Sequence, residues 1–464
     1  MTDLTEEFRR ELIDIVGEAG FHDADALQNI DPGLHPDNLG ATVGVSPGAT
    51  NDVSRILALC DNHGIAVVPH GGRTSLAGAA VTTKGQVVML SNRLDAIVDI
   101  DVASATAIVE AGVTLQALET AAAERGLSAG IDLGARGSAT IGGMISTNAG
   151  GMEAFRNGTM RHRVLGLEVV LPDGGVLSDL SRVTKCNEGY DIKQLFCGAE
   201  GTLGVVTRAA LRLVPASGAV KTLLVACPNA EAALSIYRIL QKASPFDLVH
   251  AEIMWSNYAK RVAKTIGLEA VLSFCDANVY ALFEVTPRFE TGDEDEILSD
   301  ILCDPLENGR IQDVIVAKSL RERNEMWRIR EDSFVVAQTL PHGLWFDVSV
   351  PLSRLDDYAA SVTEKLADLD PELVSCTLGH LGDGNLHYTV GTGKPLAPDM
   401  ADAVTDILYQ GLKQMGGSFS AEHGIGLSKR DSLKKHVCPQ KMRMMTAIKA
   451  AFDPHGIMNP GKVL

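Results

Sequence analysis

The hydrophobic pattern along the first half of the chain is one of short apolar runs separated by turn residues. Ala66–Val68, Val87–Leu90 and Val164–Leu171 are rich in β-branched residues, and helix-like segments such as Asn51–His63 and Leu115–Arg125 lie between them. Short apolar runs bounded by turn signals are typical of buried strands. This part is therefore predicted to consist of strands joined by loops and interleaved with short helices.

The pattern changes after a linker-like tetrad, PASG, at 215–218. Strand-like runs and helix-patterned stretches then alternate more regularly, and the clearest of these helices is Asn229–Lys242. The strand-like runs are VKTLLVAC at 220–227, DLVHAEIMW at 247–255, NVYALFEV at 278–285 and DVIVAKS at 313–319. This alternation predicts a second α/β layer domain.

Glycine-rich loops are the most informative feature of the first part. The chain has 45 glycines. Three clusters lie in the segments 67–78, 134–151 and 198–204, two of which are also rich in Ser and Thr. Successive backbone N–H groups in such turns form concave anion sites. One such loop alone would be an ordinary surface turn, but three together favour a dinucleotide-like cofactor.

Charge and hydropathy narrow the class of partner. The sequence has 41 basic and 59 acidic residues, a net charge of −18, which argues against nucleic acid and anionic lipid as ligands. No run of 18 apolar residues occurs, so an integral membrane protein is not expected. The start, MTDLTEEFRR, lacks the features of a signal peptide. We expect a cytoplasmic protein, with peripheral membrane association left open.

A second candidate site lies in CTLGHLGDGNLHYTV at 376–390. Asp383-Gly384 predicts a two-residue hairpin loop, which would put His380 directly opposite His387 on one face. Two imidazoles at that spacing can share a metal ion, and SAEHGIG at 420–426 offers a carboxylate and another histidine at a glycine turn. The alternative is a satisfied polar pair of histidines with no metal.

The glycine loops resemble the FAD-binding domain of the vanillyl-alcohol-oxidase and p-cresol-methylhydroxylase type. Segment 140–151 is similar to the family's T-I-G-G-x-x-x-T-N-A-G-G loop, and 198–204 to its G-x-E-G-T-L-G loop. The first loop departs, since Arg73 and Ser75 stand where glycines are usual. The resemblance implies FAD, bound non-covalently because the histidine that other branches attach to flavin is not evident.

Carried over residue by residue, the resemblance gives a set of expected FAD-binding positions. They are Pro69, His70, Gly71, Gly72, Arg73, Thr74, Ser75, Gly78, Gly137, Ser138, Thr140, Ile141, Gly142, Gly143, Ser146, Thr147, Asn148, Gly150, Gly151, Glu200, Gly201, Gly204, Val205 and Asn459. Asn459 belongs to FDPHGIMNPGKVL, which is similar to the family's terminal segment that returns to the flavin.

GHLGDGNLH followed by AEHGIG is similar to the C-terminal part of FAD-linked D-2-hydroxyacid dehydrogenases. The resemblance implies that His380, His387 and Glu422 bind a divalent metal, with zinc favoured over manganese or iron. It implies that His423 is the catalytic base. WRIRE at 327–331 is similar to the family's W-x-x-R-E element, which makes Arg330 the candidate anchor for the substrate carboxylate.

The resemblance also implies the fold. We expect an α+β protein with a two-subdomain FAD-binding domain over 1–216. We expect an α/β substrate- and metal-binding cap domain with a mainly antiparallel sheet over 217–441. The segment 442–464 would return to the FAD-binding domain.

Two substrate-contacting positions depart from the family's D-2-hydroxyglutarate branch. Trp345 stands where those members carry a lysine, and Thr389 where they carry an asparagine. Losing the lysine weakens the case for a second substrate carboxylate, and the indole would make the pocket more apolar. D-Lactate or another D-2-hydroxy acid therefore stays open beside D-2-hydroxyglutarate.

Other function classes and partners also stay open. The rivals are a flavin-dependent oxidase of another small hydroxy acid such as glycolate, a flavin-free metallohydrolase, and a non-catalytic flavin-binding protein. Apart from the hydroxy acid, the expected partner is an electron acceptor that the sequence does not identify: a quinone, a cytochrome or an electron-transfer flavoprotein. Similar proteins suggest a homodimer.

Overall fold

A computed structural model describes residues 4–243, 245–289 and 292–464. Its strands, in chain order, are β1 Phe21–His22, β2 Val43–Val45, β3 Val67–His70, β4 Val87–Leu90, β5 Ile97–Asp101, β6 Thr106–Glu110, β7 Leu127–Ser128, β8 Val164–Val170, β9 Val176–Asp179, β10 Val205–Arg212, β11 Val214–Pro215, β12 Lys221–Cys227, β13 Phe246–Trp255, β14 Val279–Pro287, β15 Asp313–Val316, β16 Leu344–Ser349, β17 Val374–His380 and β18 Asn385–Gly391.

The α-helices are α1 Glu6–Val16, α2 Ala24–Gln28, α3 Thr50–His63, α4 Leu115–Ala123, α5 Ile141–Thr147, α6 Ala154–Asn157, α7 Met160–Arg163, α8 Lys193–Phe196, α9 Ala230–Lys242, α10 Ser256–Ile266, α11 Glu294–Glu307, α12 Leu320–Glu331, α13 Val335–Thr339, α14 Leu355–Leu369, α15 Pro398–Tyr409, α16 Arg430–His436 and α17 Pro439–Phe452. Within the described ranges, no helix combines the length and apolar character that crossing a bilayer would require.

The chain forms two compact units. The first comprises the described residues of Met1–Gly151, Asn157–Ala216 and Glu422–Leu464, and the second those of Met152–Arg156 and Ser217–Ala421. The segment that rejoins the first unit thus begins at Glu422. The functional domain boundaries expected at 216/217 and 441/442 stay a prediction.

A small sheet with the order β1-β2-β4-β3 opens the first unit. Strands β2 and β3 both run parallel to β4, and α3 makes the crossover between them. The helix packs through an apolar stripe of Val53, Ile56, Leu57 and Cys60. The C-terminal segment pairs with the edge strand β3, since the Val67 N–H donates to the Ile457 carbonyl at 2.8 Å. This pairing brings Asn459 to β3.

The second sheet of the first unit has the order β5-β6-β10-β8-β9 and is antiparallel throughout. Its apolar face includes Val109, Leu167 and Ala209, all fully or nearly fully buried. The short helix α5 packs into the same core through Ile141 and Ile145. The sheet therefore fixes the helix that carries the second glycine-rich loop.

The second unit is built on a seven-stranded sheet with the order β15-β12-β14-β13-β17-β18-β16. Every neighbouring pair is antiparallel. One face is apolar and packs in a core that includes Ile253, Val348 and Tyr388. The opposite face also contains apolar residues, together with buried polar side chains such as those of Glu252, Glu284 and Asp347. This face holds the histidines singled out from the sequence.

The hairpin between β17 and β18 differs from the prediction. His380 pairs with Asn385, and His387 pairs with Leu378, so the two histidines are diagonal neighbours and not directly opposite. Residues 381–384 form a four-residue connection in which the Gly384 N–H donates to the His380 carbonyl at 3.1 Å. A two-residue type I′ loop needs positive φ at both central residues. Gly384 has φ 76°, whereas Asp383 is not among the positive-φ residues.

The shift by two residues in register leaves the predicted face unchanged, because side chains alternate with a period of two along a strand. His380 and His387 therefore still share one face, with ring centroids 5.5 Å apart.

Candidate active site

The first glycine-rich loop begins where β3 ends, at His70. A Cβ atom added at Gly71 would meet the Thr140 hydroxyl, and one added at Gly72 would overlap the carbonyl oxygen of Ser138. Glycine at both positions thus lets this loop pass directly against the second glycine-rich loop. Two of the three predicted cofactor loops therefore lie in backbone contact within the first unit.

Arg73 stands in the first loop where the family pattern has a glycine, and it adopts a backbone conformation typical of glycine. It adopts φ 54°, in the left-handed region that glycine usually occupies. Its guanidinium Nε donates to the Asp31 carbonyl at 2.8 Å, which holds the residue in this conformation. Asn148, Glu200 and Asn459 are also left-handed non-glycine residues at predicted FAD-binding positions. Such strained backbone concentrates at functional sites.

The second loop leads into α5. Thr140 is the N-cap, and its hydroxyl accepts the Gly143 N–H at 3.3 Å. Asn148 ends the helix in the left-handed conformation, and its side-chain Oδ1 accepts the Arg161 N–H at 2.9 Å. Ser146 accepts the Glu200 N–H through its carbonyl at 2.7 Å. The helix therefore also anchors the third loop.

Asn459 joins the C-terminal segment to two other loops of the first unit. Its side-chain Nδ2 donates to the Ala79 carbonyl at 3.0 Å and to the Glu200 carbonyl at 2.7 Å. The Glu200 carboxylate accepts the N–H groups of Ile425 and Gly426 at 2.7 and 2.8 Å. Burial raises the pKa of Glu200, although these hydrogen bonds oppose the shift. Glu200 therefore organises the turn that follows His423.

Three buried side-chain atoms at predicted FAD positions have no hydrogen-bond partner within the described residues: His70 Nδ1, Ser75 Oγ and Asn459 Oδ1. Buried polar atoms are normally paired, so this region fits a ligand that presents polar atoms to it. Burial, reinforced by the charge of Arg73, lowers the pKa of His70 to about 3. The first loop therefore presents a neutral imidazole. These observations fit FAD, whose pyrophosphate needs close backbone approach.

In the second unit, Glu252 connects two of the predicted site residues. It lies on β13 directly opposite His380 of β17, and its side chain is fully buried. Its Oε1 accepts from His380 Nδ1 at 2.9 Å, and its Oε2 lies 2.7 and 2.6 Å from Nε and Nη2 of Arg330. Burial alone would raise the pKa of Glu252, but Arg330 and His380 lower it, so the carboxylate is ionised.

His387 lies next to a second buried carboxylate, that of Asp347 on β16. The two residues pair across the strands, and His387 Nδ1 is 3.8 Å from Asp347 Oδ1. Asp347 is held in place by Asn385, which donates at 2.9 Å, and by the Ala421 N–H, which donates to Oδ2 at 3.0 Å. Each of the two histidines thus directs Nδ1 toward a carboxylate. This is the usual surrounding of a histidine that binds a metal through Nε2.

Trp345 and Thr389 lie on the same sheet face as His387. Thr389 is buried between Cys376 and Trp345 on the neighbouring strands. Trp345 is 38% exposed on the edge strand β16, and its ring lies 6.0 Å from that of Phe334, which is 52% exposed. An exposed aromatic pair therefore borders the histidine face.

Glu422 and His423 begin the last segment of the first unit. Glu422 Oε2 accepts the Gly151 N–H at 3.1 Å, so it lies at the end of the second glycine-rich loop. His423 Nε2 is 4.0 Å from Glu422 Oε1. The residue before Glu422, Ala421, is the one that donates to Asp347 in the second unit.

Sequence reasoning missed Glu252 and Asp347. Glu252 is an acidic residue inside the predicted strand DLVHAEIMW, and Asp347 lies in the largely apolar run HGLWFDVSVP, for which no strand was predicted. Acidic residues are almost never fully buried unless they are paired. A carboxylate inside an apolar strand was therefore a usable signal for a buried partner, although it does not identify that partner.

Two family models match this sequence. "FAD binding domain" matches residues 41–179, and "FAD linked oxidases, C-terminal domain" matches residues 217–463, more than half of the chain. The chain belongs to the FAD-linked oxidase family. It is an FAD-dependent oxidoreductase, as the sequence predicted.

Members of this family with similar sequences include mitochondrial D-2-hydroxyglutarate dehydrogenase from Bos taurus, which is 33% identical over 458 residues, 95% of this chain and 83% of the bovine protein. D-2-hydroxyglutarate dehydrogenase from Xanthomonas citri pv. viticola is 34% identical over 426 residues, 90% of this chain and 88% of that protein. These findings confirm the resemblance that the sequence motifs indicated.

Among solved structures, p-cresol methylhydroxylase with substrate bound has a TM-score of 0.77 at 16% identity, covering 99% of this chain and 97% of that one. 4-Ethylphenol oxidase from Gulosibacter chungangensis has a TM-score of 0.73 at 18% identity, covering 98% and 96%. At such low identity these similarities show the fold alone. They confirm the α+β fold of the p-cresol-methylhydroxylase type.

Proposed function

We propose that this chain is an FAD- and divalent-metal-dependent dehydrogenase that oxidises a D-2-hydroxy acid to the 2-oxo acid by hydride transfer to flavin. The observation that carries the proposal is the histidine face of the second unit. There, the buried side chains of His380 and Arg330 and the partly exposed side chain of His387 lie beside two fully buried carboxylates, those of Glu252 and Asp347. The D-2-hydroxyglutarate dehydrogenase names of the relatives support the same class of substrate.

His380, His387 and Glu422 are the proposed metal ligands. The shared face of the histidines, 5.5 Å between ring centroids, and the carboxylate beside each Nδ1 support the first two. For Glu422 the support is chain continuity, because the residue before it is hydrogen-bonded to Asp347. Two imidazoles and one carboxylate suit zinc and leave room for substrate. A divalent cation bound there would supply Lewis acidity toward the substrate's oxygen atoms.

FAD bound at the glycine loops would supply the redox chemistry by accepting the C2 hydride. The chain's own residues then have three tasks. Arg330 binds the substrate carboxylate, and because its Nε and one proton of Nη2 face Glu252, it does so mainly through Nη1. The imidazole of His423 accepts the hydroxyl proton, a role that contributes about 10²–10⁴-fold in other enzymes. Thr389 and Trp345 border the distal end of the substrate.

The length and charge of the substrate's distal group can be measured with a panel of acids. D-2-Hydroxyglutarate has support from the names of the relatives, whereas Trp345 supports an acid with an apolar distal end, such as D-lactate or a longer homologue. Metal analysis of the purified protein would identify the divalent metal. Oxidation of the reduced flavin by a quinone, a cytochrome or an electron-transfer flavoprotein would identify the electron acceptor.

The experiment is anaerobic flavin reduction with a panel of paired D- and L-2-hydroxy acids that differ in distal length and charge. We expect the yellow protein to bleach with at least one D acid and not with its L isomer. Colourless protein, or flavin that no hydroxy acid reduces, would contradict the proposal. Hydrogen peroxide formation at a rate equal to substrate turnover in air would favour the oxidase alternative.

His423→Ala tests the assigned base in the same assay. We expect it to retain flavin and to slow bleaching by about 10²–10⁴-fold. His35→Ala is the matched control, since His35 is a partly exposed histidine elsewhere in the first unit that caps a short helical turn. Equal slowing in both variants would mean that His423 is not the base.

A further inference from the structure

The second unit contains two sets of charged side chains on the same sheet face, each built around a fully buried glutamate. In one, Glu252 of β13 is paired with Arg330 and His380. In the other, Glu284 of the neighbouring strand β14 is paired with Arg323 and His250. The two arginines are seven residues apart on α12, two turns of one helix. Only the first set contains residues that the proposed function uses.

We propose that Glu252 is a positioning residue that holds the substrate-binding arginine and a metal-binding histidine in register with each other. This inference rests on the proposed function, since it assigns Arg330 to the substrate carboxylate and His380 to the metal. It adds a residue that neither the motifs nor the family resemblance had singled out.

The two carboxylate oxygens of Glu252 have different partners. Oε2 accepts from Arg330 Nη2 and Nε at 2.6 and 2.7 Å, and Oε1 accepts from His380 Nδ1 at 2.9 Å. A carboxylate can only accept, so His380 must carry its proton on Nδ1 and keep the lone pair on Nε2. The same side chain therefore sets the tautomer of one site residue and the direction of the other.

Glu252, Arg330 and His380 are all buried. Glu252 is fully buried, and the side chains of Arg330 and His380 are 8% and 7% exposed. Burying charges is costly even when they are paired, and replacing such a set by apolar side chains is often neutral or stabilising. Stability alone is therefore weak grounds for keeping three polar groups here. The need to hold Arg330 and His380 in fixed positions relative to each other gives a reason for keeping these polar groups.

Glu252→Gln is the informative variant because it keeps the shape and leaves one oxygen. If that oxygen stays with the cation Arg330, the amide N–H₂ group faces His380 Nδ1, which must then accept a hydrogen bond. The imidazole proton moves to Nε2, the nitrogen that the metal needs. Glu284→Gln is the matched control, since Glu284 is equally buried and also holds an arginine and a histidine.

The readouts are zinc affinity of the flavin-loaded, metal-stripped protein by calorimetry, flavin content, and the separate values of KM and kcat for the best D acid. We expect Glu252→Gln to weaken zinc binding about 10–100-fold, the usual effect of losing a carboxylate behind a metal-binding histidine, and to raise KM. Flavin content should not change. Glu252→Asp, which keeps both oxygens, should restore part of the zinc affinity.

Glu284→Gln should leave zinc affinity and KM within about threefold of the wild type, a difference below 1 kcal/mol. Equal zinc affinity and equal KM in Glu252→Gln and the wild type would overturn the inference, as would equal losses in both glutamine variants. If the wild type itself binds no zinc and works without metal, the metal in the proposed function fails instead. That outcome is recognised from the wild type alone.

Discussion

The two units use opposite means to prepare a binding site. In the first, the candidate flavin site is made of backbone: glycines that allow loops to touch, left-handed residues, and a few neutral side-chain atoms such as Asn459 Oδ1. In the second, the candidate substrate site is made of buried ions held in pairs, as between Glu252 and Arg330. The difference indicates that the first site should be sensitive to added volume and the second to changes of charge.

The difference can be followed with two separate signals. The three tryptophans, Trp255, Trp327 and Trp345, all lie in the second unit, whereas the candidate flavin loops lie in the first. Tryptophan fluorescence therefore reports on one unit, and flavin absorbance on the other.

Arg330→Leu should have the largest effect. It removes the cation paired with the fully buried Glu252 carboxylate, which keeps the hydrogen bond from His380, and removing one partner of a buried ion pair typically costs about 3–5 kcal/mol. We expect the urea midpoint seen by tryptophan fluorescence to fall, and flavin reduction by the substrate to be lost. The double variant Glu252→Leu/Arg330→Leu should be more stable than Arg330→Leu alone. If the single variant unfolds like the wild type, the charges are not the support that we describe.

Acidification should separate the two units. Burial alone would raise the pKa of Glu284. Its hydrogen bonds outweigh this effect and lower the pKa to about 2, the donors being His250, Arg323, Thr222 and Trp327. A depressed carboxyl pKa gives stability that is present above the unfolded value, about 4.5, and is lost as the pH falls toward 2. The loss is about 3 kcal/mol, at 1.36 kcal/mol for each pKa unit.

His70 in the first unit responds at higher pH. Because burial lowers its pKa to about 3, the unfolded chain binds the proton more tightly than the folded one between pH 6.5 and 3. The first unit should therefore lose stability already below pH 6.5, and flavin release should precede the tryptophan transition in an acid titration. The opposite order would contradict these assignments.

Gly72→Ala should affect the first unit only. The added methyl group would overlap the Ser138 carbonyl, and overpacking of this kind costs about 1–3 kcal/mol. We expect weaker flavin retention on dilution and an unchanged tryptophan transition. Gly175→Ala is the control in the same unit, because the atoms nearest its added methyl group belong to the side chain of Asp173, which can move, and not to the backbone. Similar flavin loss in both variants would remove the special role of the loop contact.

Trp345→Lys should have the smallest effect. Trp345 is 38% exposed, so a new cation there would interact with a distal carboxylate in a solvated environment, worth about 0.2–1 kcal/mol. The ratio of kcat/KM for D-2-hydroxyglutarate over D-lactate should rise by a factor of about 5 at most. Trp345→Gln, which removes the ring and adds no charge, separates the effect of the cation. An unchanged ratio would place the distal group elsewhere.

The candidate flavin site has a clearer local signal in the sequence than the candidate substrate site, for a physical reason. Loops that touch through glycine leave a local signature, and both 140–151 and 198–204 carry it. The pairing of Glu252 with Arg330 and His380 joins residues 78 and 128 positions apart, and nothing local specifies it. The predicted two-residue hairpin loop was wrong, because the dipeptide Asp383-Gly384 is compatible with more than one loop length.

The face shared by His380 and His387 was nevertheless predicted correctly. A register error of two residues does not change which way a side chain points, whereas an error of one residue would have put the histidines on the wrong faces. The roles assigned to Glu422, His423 and Arg330 stay predictions that came from motif resemblance.

We expect that a cation bound by His380 and His387 is needed for a D-2-hydroxy acid to reduce the flavin. Anaerobic flavin reduction by the best D acid measures this need in three samples: protein as purified, protein stripped with EDTA, and stripped protein with zinc restored. We expect full flavin content in all three samples, loss of flavin reduction on stripping, and its return when zinc is restored. Unchanged reduction in metal-free protein would contradict it.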